Sequence, residues 1–141
     1  MYLLDTNVVS ELRKAKAGKA DPNVTAWAAS LPAASLFISA ITILELELGV
    51  LQIERRDAAQ GAILRAWLDH GVLPAFSGRV IDIDTQIARR CAGLHVPDPR
   101  GERDALIAAS ALVHSLTVVT RNVIDFAPTG APTLNPWSWR D

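Results

Sequence analysis

The stretch Tyr2-Leu3-Leu4-Asp5-Thr6-Asn7 constrains the fold more than any other part of the chain. It is a short apolar run that ends in a carboxylate and two small polar residues. It lacks the polar alternation of a strand with one face in water, and so suits a strand buried on both faces, as in a parallel sheet. Helical spacing begins at once: Val8, Val9 and Leu12 are apolar, with Ser10, Glu11 and Arg13 between and after them. A buried strand that turns straight into a helix places Asp5 at the strand's carboxyl end, where open α/β sheets bind ligands. Asp5 or Thr6 serves equally well there as the helix cap. Only the other carboxylates of the chain separate the two readings.

The same alternation of strand and helix recurs. Arg13 to Lys19 reads as a flexible basic loop. Asp21 as cap and Pro22 at the first helical position start a helix through about Ser30, with Val24, Trp27, Ala28 and Leu31 as its apolar face. Ser35 to Ser39 is a second buried strand. From Ile41 to Arg56 the sequence is ambiguous, because Glu45 and Glu47 alternate with leucines as in a strand. Helix is favoured because Thr42 and Glu45 form a capping-box pattern and because Ile41, Leu44, Leu48 and Leu51 share one helical stripe. The segment is also too long for an ordinary strand. A helix from about Ala58 to His70 completes a hairpin protruding beside the sheet. Val80 to Asp84 is a third strand, and Asp84 caps a helix through about Leu94. Pro97, Pro99 and Gly101 break the chain before Glu102 to Leu116, a helix apolar or small around most of its surface. Thr117 to Thr120 is the fourth strand, and the tail from Pro132 to Trp139 offers an edge strand. The pattern predicts an α/β fold: a central, mostly parallel sheet of four to five strands flanked by helices. A chain of 141 residues is one domain, residues 1–141.

Several carboxylates fall at one end of this architecture. Asp5 ends a strand, Glu45 begins the helix after the second strand, and Asn122 and Asp125 follow the fourth strand. Asp104 joins them if the Pro/Gly loop delivers the start of its helix to the same rim. Each acid has an ordinary alternative: a cap for Asp5, a capping box for Glu45, a helix-dipole partner for Asp104. Together, flanked by apolar segments, they would repel one another, and burial would add to the cost. A divalent cation is the simplest remedy. An all-oxygen set without cysteine or histidine suits Mg²⁺ or Mn²⁺, ions that assist in-line displacement at phosphorus. The net charge of −1 argues against holding nucleic acid by bulk charge alone, though a local basic strip can still steer a nuclease's substrate.

The segments Leu3-Leu4-Asp5-Thr6-Asn7, Ile38-Ser39-Ala40-Ile41-Thr42-x-x-Glu45-Leu46, Asp104-Ala105-Leu106-Ile107-Ala108-Ala109 and Val119-Thr120-Arg121-Asn122-x-x-Asp125-Phe126 resemble the four motifs of PIN-domain ribonucleases. More closely, they resemble VapC-type toxins of bacterial toxin–antitoxin pairs. The similarity runs from residue 1 to the closing Asn135-Pro136-Trp137. The resemblance implies a PIN-like fold and a metal-dependent endoribonuclease held in check by a VapB-like antitoxin. It also implies Asp5, Glu45 and Asp104 as the acidic core, catalytic and metal-binding. Where many PIN domains carry a fourth acid, this chain has Asn122, so Asn122 and Asp125 are auxiliary candidates. Thr6 and Arg121 are candidates for substrate binding.

Two other classes compete. An aspartyl-phosphate phosphatase would carry a second Asp where Asn7 stands. A non-catalytic module working in an antitoxin–DNA complex would not require three repelling acids. Cys91 is the only cysteine, which excludes an intramolecular disulfide and suggests a buried, inert thiol. His70, His95 and His114 are scattered without ligand spacing, and Trp27, Trp67, Trp137 and Trp139 read as packing residues. No stretch suits a signal or a membrane span. The expected setting is the cytoplasm and the expected state a homodimer. The antitoxin segment is expected along the hairpin, with DNA reached only through the antitoxin.

Overall fold

A computed structural model describes residues 1–140. Five strands, β1 (Tyr2–Leu4), β2 (Leu36–Ser39), β3 (Val80–Ile81), β4 (Thr117–Val119) and β5 (Thr133–Leu134), lie in the order β3-β2-β1-β4-β5. Every neighbouring pair is parallel. The α/β sheet expected from the alternation is therefore present, with the tail supplying its fifth strand. β1 is central, with Leu3 and Leu4 fully buried, as a strand covered by helices on both faces requires. The register pairs Leu4 with Val119, so Asp5 and Thr120 are the next residues along the two strands.

Helices α1 (Thr6–Arg13), α2 (Pro22–Ala29), α3 (Ala40–Arg56), α4 (Ala58–Trp67), α5 (Leu73–Ala75), α6 (Thr85–Leu94), α7 (Glu102–His114) and α8 (Val123–Phe126) connect the strands. Most begin on a side-chain cap. Asp21 accepts the N–H groups of Asn23 and Val24, and Asp84 accepts that of Ile87, satisfying donors that a helix start leaves free. On one sheet face Val8, Val24, Trp27, Ile38, Leu46 and Leu68 form the core. On the other, Leu3, Ile107, Ala108, Ala111 and Val118 do so. The small residues of α7 allow it to lie close on the sheet.

Several local expectations require correction. The cap of α3 is Ser39, whose Oγ accepts the Ile41 N–H at 3.0 Å. Thr42 is buried inside the helix, so there is no capping box. Of the stripe Ile41-Leu44-Leu48-Leu51 only Ile41 joins the core: Leu44 is 47% and Leu51 is 52% exposed, while Leu46 and Val50 point inward. Helical spacing identified the helix, but two leucine-rich faces compete, and only packing decides which is buried. The basic segment after α1 is an ordered 3-10 turn, Lys14–Ala17, closed by Gly18 at φ 68°, a left-handed conformation that glycine adopts without cost. β3 stops at Ile81. Past Trp67 the hairpin's second arm continues as a π-turn over Leu68–Val72. His95 is not isolated, because it lies beside Cys91 and Glu102.

The hairpin of α3 and α4 is fastened by charge and by contact. Arg65 donates to both oxygens of Glu47, at 3.0 and 2.6 Å, and to Glu54 at 3.1 and 3.3 Å. A Cβ on Gly61 would lie 2.5 Å from the Glu54 Cα, so the two helix backbones meet there in a way only glycine permits. Among the described residues no helix is long and apolar enough to cross a membrane.

Candidate active site

Asp5 extends the β1–β4 ladder by one step, its N–H donating to the Val119 carbonyl at 2.9 Å. It is also the N-cap of α1, so strand end, helix start and carboxylate coincide in one residue that is only 5% exposed. Its Oδ1 accepts the Thr6 N–H at 2.8 Å. Its Oδ2 accepts the Thr120 hydroxyl at 2.8 Å and the Asn7 amide at 3.3 Å. The Thr120 oxygen accepts in turn from the Asn122 N–H at 3.0 Å. Burial pushes the Asp5 carboxyl above its ordinary range. The bonds from Thr120 and Thr6 pull it back, and the charges of Asp104 and Glu45 raise it further.

Glu45 reaches the same place from the second turn of α3. Its Oε1 accepts the Thr6 hydroxyl at 2.7 Å, and its Oε2 lies 3.7 Å from Arg103 Nη1. Thr6 therefore links the first two acids, giving its N–H to Asp5 and its hydroxyl to Glu45. Asp104, third residue of α7, is half-buried. Burial raises its carboxyl first, then the charge of Asp125, then that of Glu45. The structure thus brings Asp5, Glu45, Asp104 and Asp125 into one cluster around the start of α1. Asp125 stands on α8, exposed, near enough to Asp104 for its charge to raise that carboxyl. Asn122 is the N-cap residue of α8, but its side chain caps nothing. Arg121 lies at the edge of the cluster. Its N–H donates to Asn7 Oδ1 at 3.3 Å, and its guanidinium lies 4.9 Å from the Trp137 ring centroid.

Reasoning from sequence did not single out Thr120, Asn7 or Arg103 as parts of this cluster. Thr120 becomes a partner of Asp5 only through the β1–β4 register. Arg103 meets Glu45 only through the way α7 packs beside α3. Asn7 had a weak signal, standing two residues after Asp5 at the opening of a helix, where a side-chain amide can fold back.

A groove of about 290 Å³ leads away from the acids between α1, α3 and α4, lined by Thr6, Glu45, Gly49, Ile53, Leu64 and Trp67 among others. A larger depression of about 690 Å³ between α6 and α7 shares no residue with the cluster. Cys91, His95 and Glu102 form a separate group, with sulfur-to-ring and sulfur-to-carboxylate distances of 3.8 and 3.9 Å. His95 Nδ1 accepts the Arg100 N–H at 3.0 Å, so Nε2, the atom facing the other two, carries the proton. A metal-bound histidine needs the opposite tautomer, donating through its outer nitrogen. Burial also pushes the Cys91 thiol up, away from the thiolate a metal would take.

The carboxylates offer only oxygen as ligand atoms, with hydroxyls and amides fixed around Asp5 and Glu45. That donor set fits a hard divalent cation and suits neither a thiolate-dependent site nor a histidine one. A family profile described as PIN domain matches residues 2–127. VapC ribonuclease Y4jK of Sinorhizobium fredii is 36% identical over 97% of this chain and 98% of its own length. Toxin FitB of Neisseria gonorrhoeae is 36% identical over 97% of this chain and 99% of its own. The crystal structure of FitAcB from Neisseria gonorrhoeae superposes with a TM-score of 0.88 at 34% identity, covering 99% of this chain and 100% of that one. The structure of FitAB bound to an IR36 DNA fragment gives a TM-score of 0.89 at 32% identity over 100% and 99%.

Proposed function

The chain belongs to the PIN-domain family, and from that premise we propose that it is the toxin of a toxin–antitoxin pair, a divalent-metal-dependent endoribonuclease acting at the Asp5 cluster. The observation that carries this reading is the convergence of Asp5, Glu45 and Asp104 where burial first, and then the charge of neighbouring carboxylates, raises Asp5 and Asp104. Perturbed carboxylates gathered in one cleft mark functional sites more often than structural ones.

Asp5, Glu45 and Asp104 would hold Mg²⁺ or Mn²⁺, with Asp125 as an outer acid. Bound there, such an ion supplies charge neutralisation and Lewis-acid activation at a phosphodiester. The protein's own share is preorganisation. Thr120 and the Thr6 N–H fix both oxygens of Asp5, and the Thr6 hydroxyl fixes one oxygen of Glu45. Asp104 lacks the fixed hydrogen-bond donors that hold Asp5 and Glu45, and so keeps the greatest freedom of the three. It is therefore the carboxylate best suited to take a proton from the attacking water as the P–O bond to that water forms and the bond to the leaving ribose oxygen breaks. Asn122 supplies no fourth charge at this site. That leaves Asp125 to compensate from one helical turn further on.

The partner follows from the relatives, which include FitB solved as FitAcB and FitAB. A small antitoxin covers the outward leucines of the hairpin, Leu44, Leu48 and Leu51, with Ile63 of α4, itself 61% exposed. A second copy of the chain completes the assembly, and DNA is reached through the antitoxin.

The test is RNA cleavage by purified protein with Mg²⁺ or Mn²⁺ and with excess chelator. Cleavage should need the metal and be abolished in Asp5→Asn, Glu45→Gln and Asp104→Asn, with a smaller loss in Asp125→Asn. Undiminished cleavage in chelator, or by the Asp5→Asn protein, would overturn the proposal.

A further inference from the structure

We infer that Arg121, held on the face of Trp137, is the phosphate-gripping post that seats single-stranded RNA beside the carboxylate cluster; this rests on the nuclease reading and names how its substrate is held. The cluster presents a difficulty for any polyanionic substrate. Asp5, Glu45, Asp104 and Asp125 lie near enough for their charges to act on one another, so a phosphate chain approaching them meets like charge. Two arginines lie beside the cluster. Arg103 is engaged by Glu45 at 3.7 Å. Arg121 is exposed, and among the described residues no carboxylate pairs with it, although Asp125 is only four positions away.

Instead of pairing, Arg121 is held in place by two other contacts. Its backbone N–H donates to Asn7 Oδ1 at 3.3 Å, and Asn7 also donates to Asp5 Oδ2 at 3.3 Å, so its main chain is tied to the catalytic carboxylate through one side chain. Its guanidinium lies over the Trp137 ring at 4.9 Å, within the range of cation–π attraction. Trp137 is itself fixed. Asn135 caps the closing 3-10 turn by accepting the Trp137 N–H at 2.9 Å, and the Trp137 carbonyl accepts the Asn23 amide from α2 at 2.8 Å. The stacked guanidinium keeps its planar fork of N–H donors turned to solvent, the arrangement that binds phosphate in two-point fashion. Stacking lowers the rotamer freedom the arginine would otherwise lose on binding. In this scheme Trp137 is a positioning residue that touches no substrate, and the tail strand β5 has the task of bringing it to the rim.

The experiment compares wild type with Arg121→Ala, Arg121→Lys, Trp137→Phe and Trp137→Leu. It measures cleavage of a single-stranded RNA as KM and kcat at several salt concentrations, and binding of a 2′-O-methyl RNA by fluorescence anisotropy. Arg121→Ala should raise KM and the dissociation constant about 10- to 100-fold, as expected for one charge-assisted phosphate contact, with kcat within about 2-fold. It should also flatten the salt slope by about 0.7, the share of one phosphate on a single strand. Arg121→Lys and Trp137→Leu should fall between, with Trp137→Phe near wild type. A merely structural Trp137 would alter melting temperature without altering the salt slope. Unchanged KM and slope in Arg121→Ala would overturn the inference. So would a fall in kcat alone, or a loss confined to antitoxin binding. A wild type that binds the RNA through Arg121 without cutting it would instead refute the nuclease reading and leave the inference standing.

Discussion

Replacing Thr120 with valine removes one hydroxyl and keeps the shape. Three bonds go with it, the longest being the 3.4 Å bond that the Thr120 oxygen accepts from the Asn7 amide. The 2.8 Å bond to Asp5 Oδ2 is charge-assisted whenever Asp5 is ionised, and the 3.0 Å bond accepted from Asn122 N–H is neutral. A hydrogen bond to a charged group contributes about 1.5–3 kcal/mol, and a neutral one about 0.5–1.5 kcal/mol. Asn122 lies at the surface, so water replaces part of the second bond, whereas Asp5 is buried and keeps only the Thr6 N–H and the longer Asn7 contact. Urea unfolding in chelator at pH 7.5 should therefore show Thr120→Val less stable by about 2–4 kcal/mol, with Thr120→Ser recovering most of it. The pH dependence isolates the charged bond. That bond favours the ionised carboxylate and lowers Asp5 against the larger upward push of burial. Its contribution is present where Asp5 is ionised and is lost as pH falls and the carboxyl protonates. The penalty of Thr120→Val should accordingly shrink toward pH 4. An equal penalty at both pH values would mean that Thr120 acts by packing alone, and no penalty would mean that the bond to Asp5 contributes nothing.

Two further outcomes follow from the same geometry. Asp104 is raised, so the folded state holds its proton more tightly than the unfolded chain; stability gained at low pH is lost as pH rises through the folded value. Asp104→Asn should thus be more stable than wild type in chelator at pH 7.5, by about 0.5–2 kcal/mol, with the advantage vanishing below the unfolded carboxylate range; a destabilised variant would contradict the repulsion. Gly61→Ala should destabilise by about 1–3 kcal/mol despite alanine's better helix propensity of about 1 kcal/mol, because the new Cβ meets the Glu54 backbone as well as its side chain, and the backbone cannot swing aside. An unchanged urea midpoint would show that the hairpin can splay freely there.

What the sequence disclosed, and what it withheld, divides along physical lines. The strands were legible because a doubly covered sheet demands uninterrupted apolar runs, and Leu3, Leu4, Ile38, Val118 and Val119 leave no polar interruption. Helix starts were legible wherever a single short polar residue does the capping, as at Asp21 and Asp84. The cap of α3 was misread because two candidates, Ser39 and Thr42, stand three residues apart, and sequence alone does not say where the strand stops. The outward leucines were misread for a related reason. Periodicity reports that a face is apolar, not whether the molecule's own core or a second chain covers it. Asp5 and Glu45 could be placed on one rim from topology, and Asp104 only on the assumption that its Pro/Gly loop delivers its helix there. Their connecting atoms, the hydroxyls of Thr6 and Thr120 and the amide of Asn7, depend on strand register and rotamers that leave no trace in spacing.

The position of the third acid shows how the fold and the cluster depend on one another. Asp104 follows an irregular loop, so no strand end directs it. It is directed by α7, whose Ala105, Ala108, Ala109 and Ala111 are all buried, together with Ile107. Alanines at those places let the helix lie against the sheet and against α6, where Ile87 and Cys91 pack on Ala105 and Ala109. A helix seated that tightly cannot withdraw when its first turn carries a carboxylate toward two others. Repulsion among the acids is opposed by burial distributed along α7, at about 25 cal/mol per Å² of apolar surface, and by hydrogen bonds concentrated at Asp5. Asp104 itself is left without the fixed donors that surround Asp5, and it remains the carboxylate freest to exchange a proton. The packing that looks purely structural in the sequence, a run of small residues on one helix, is what sets the third acid in place beside the other two.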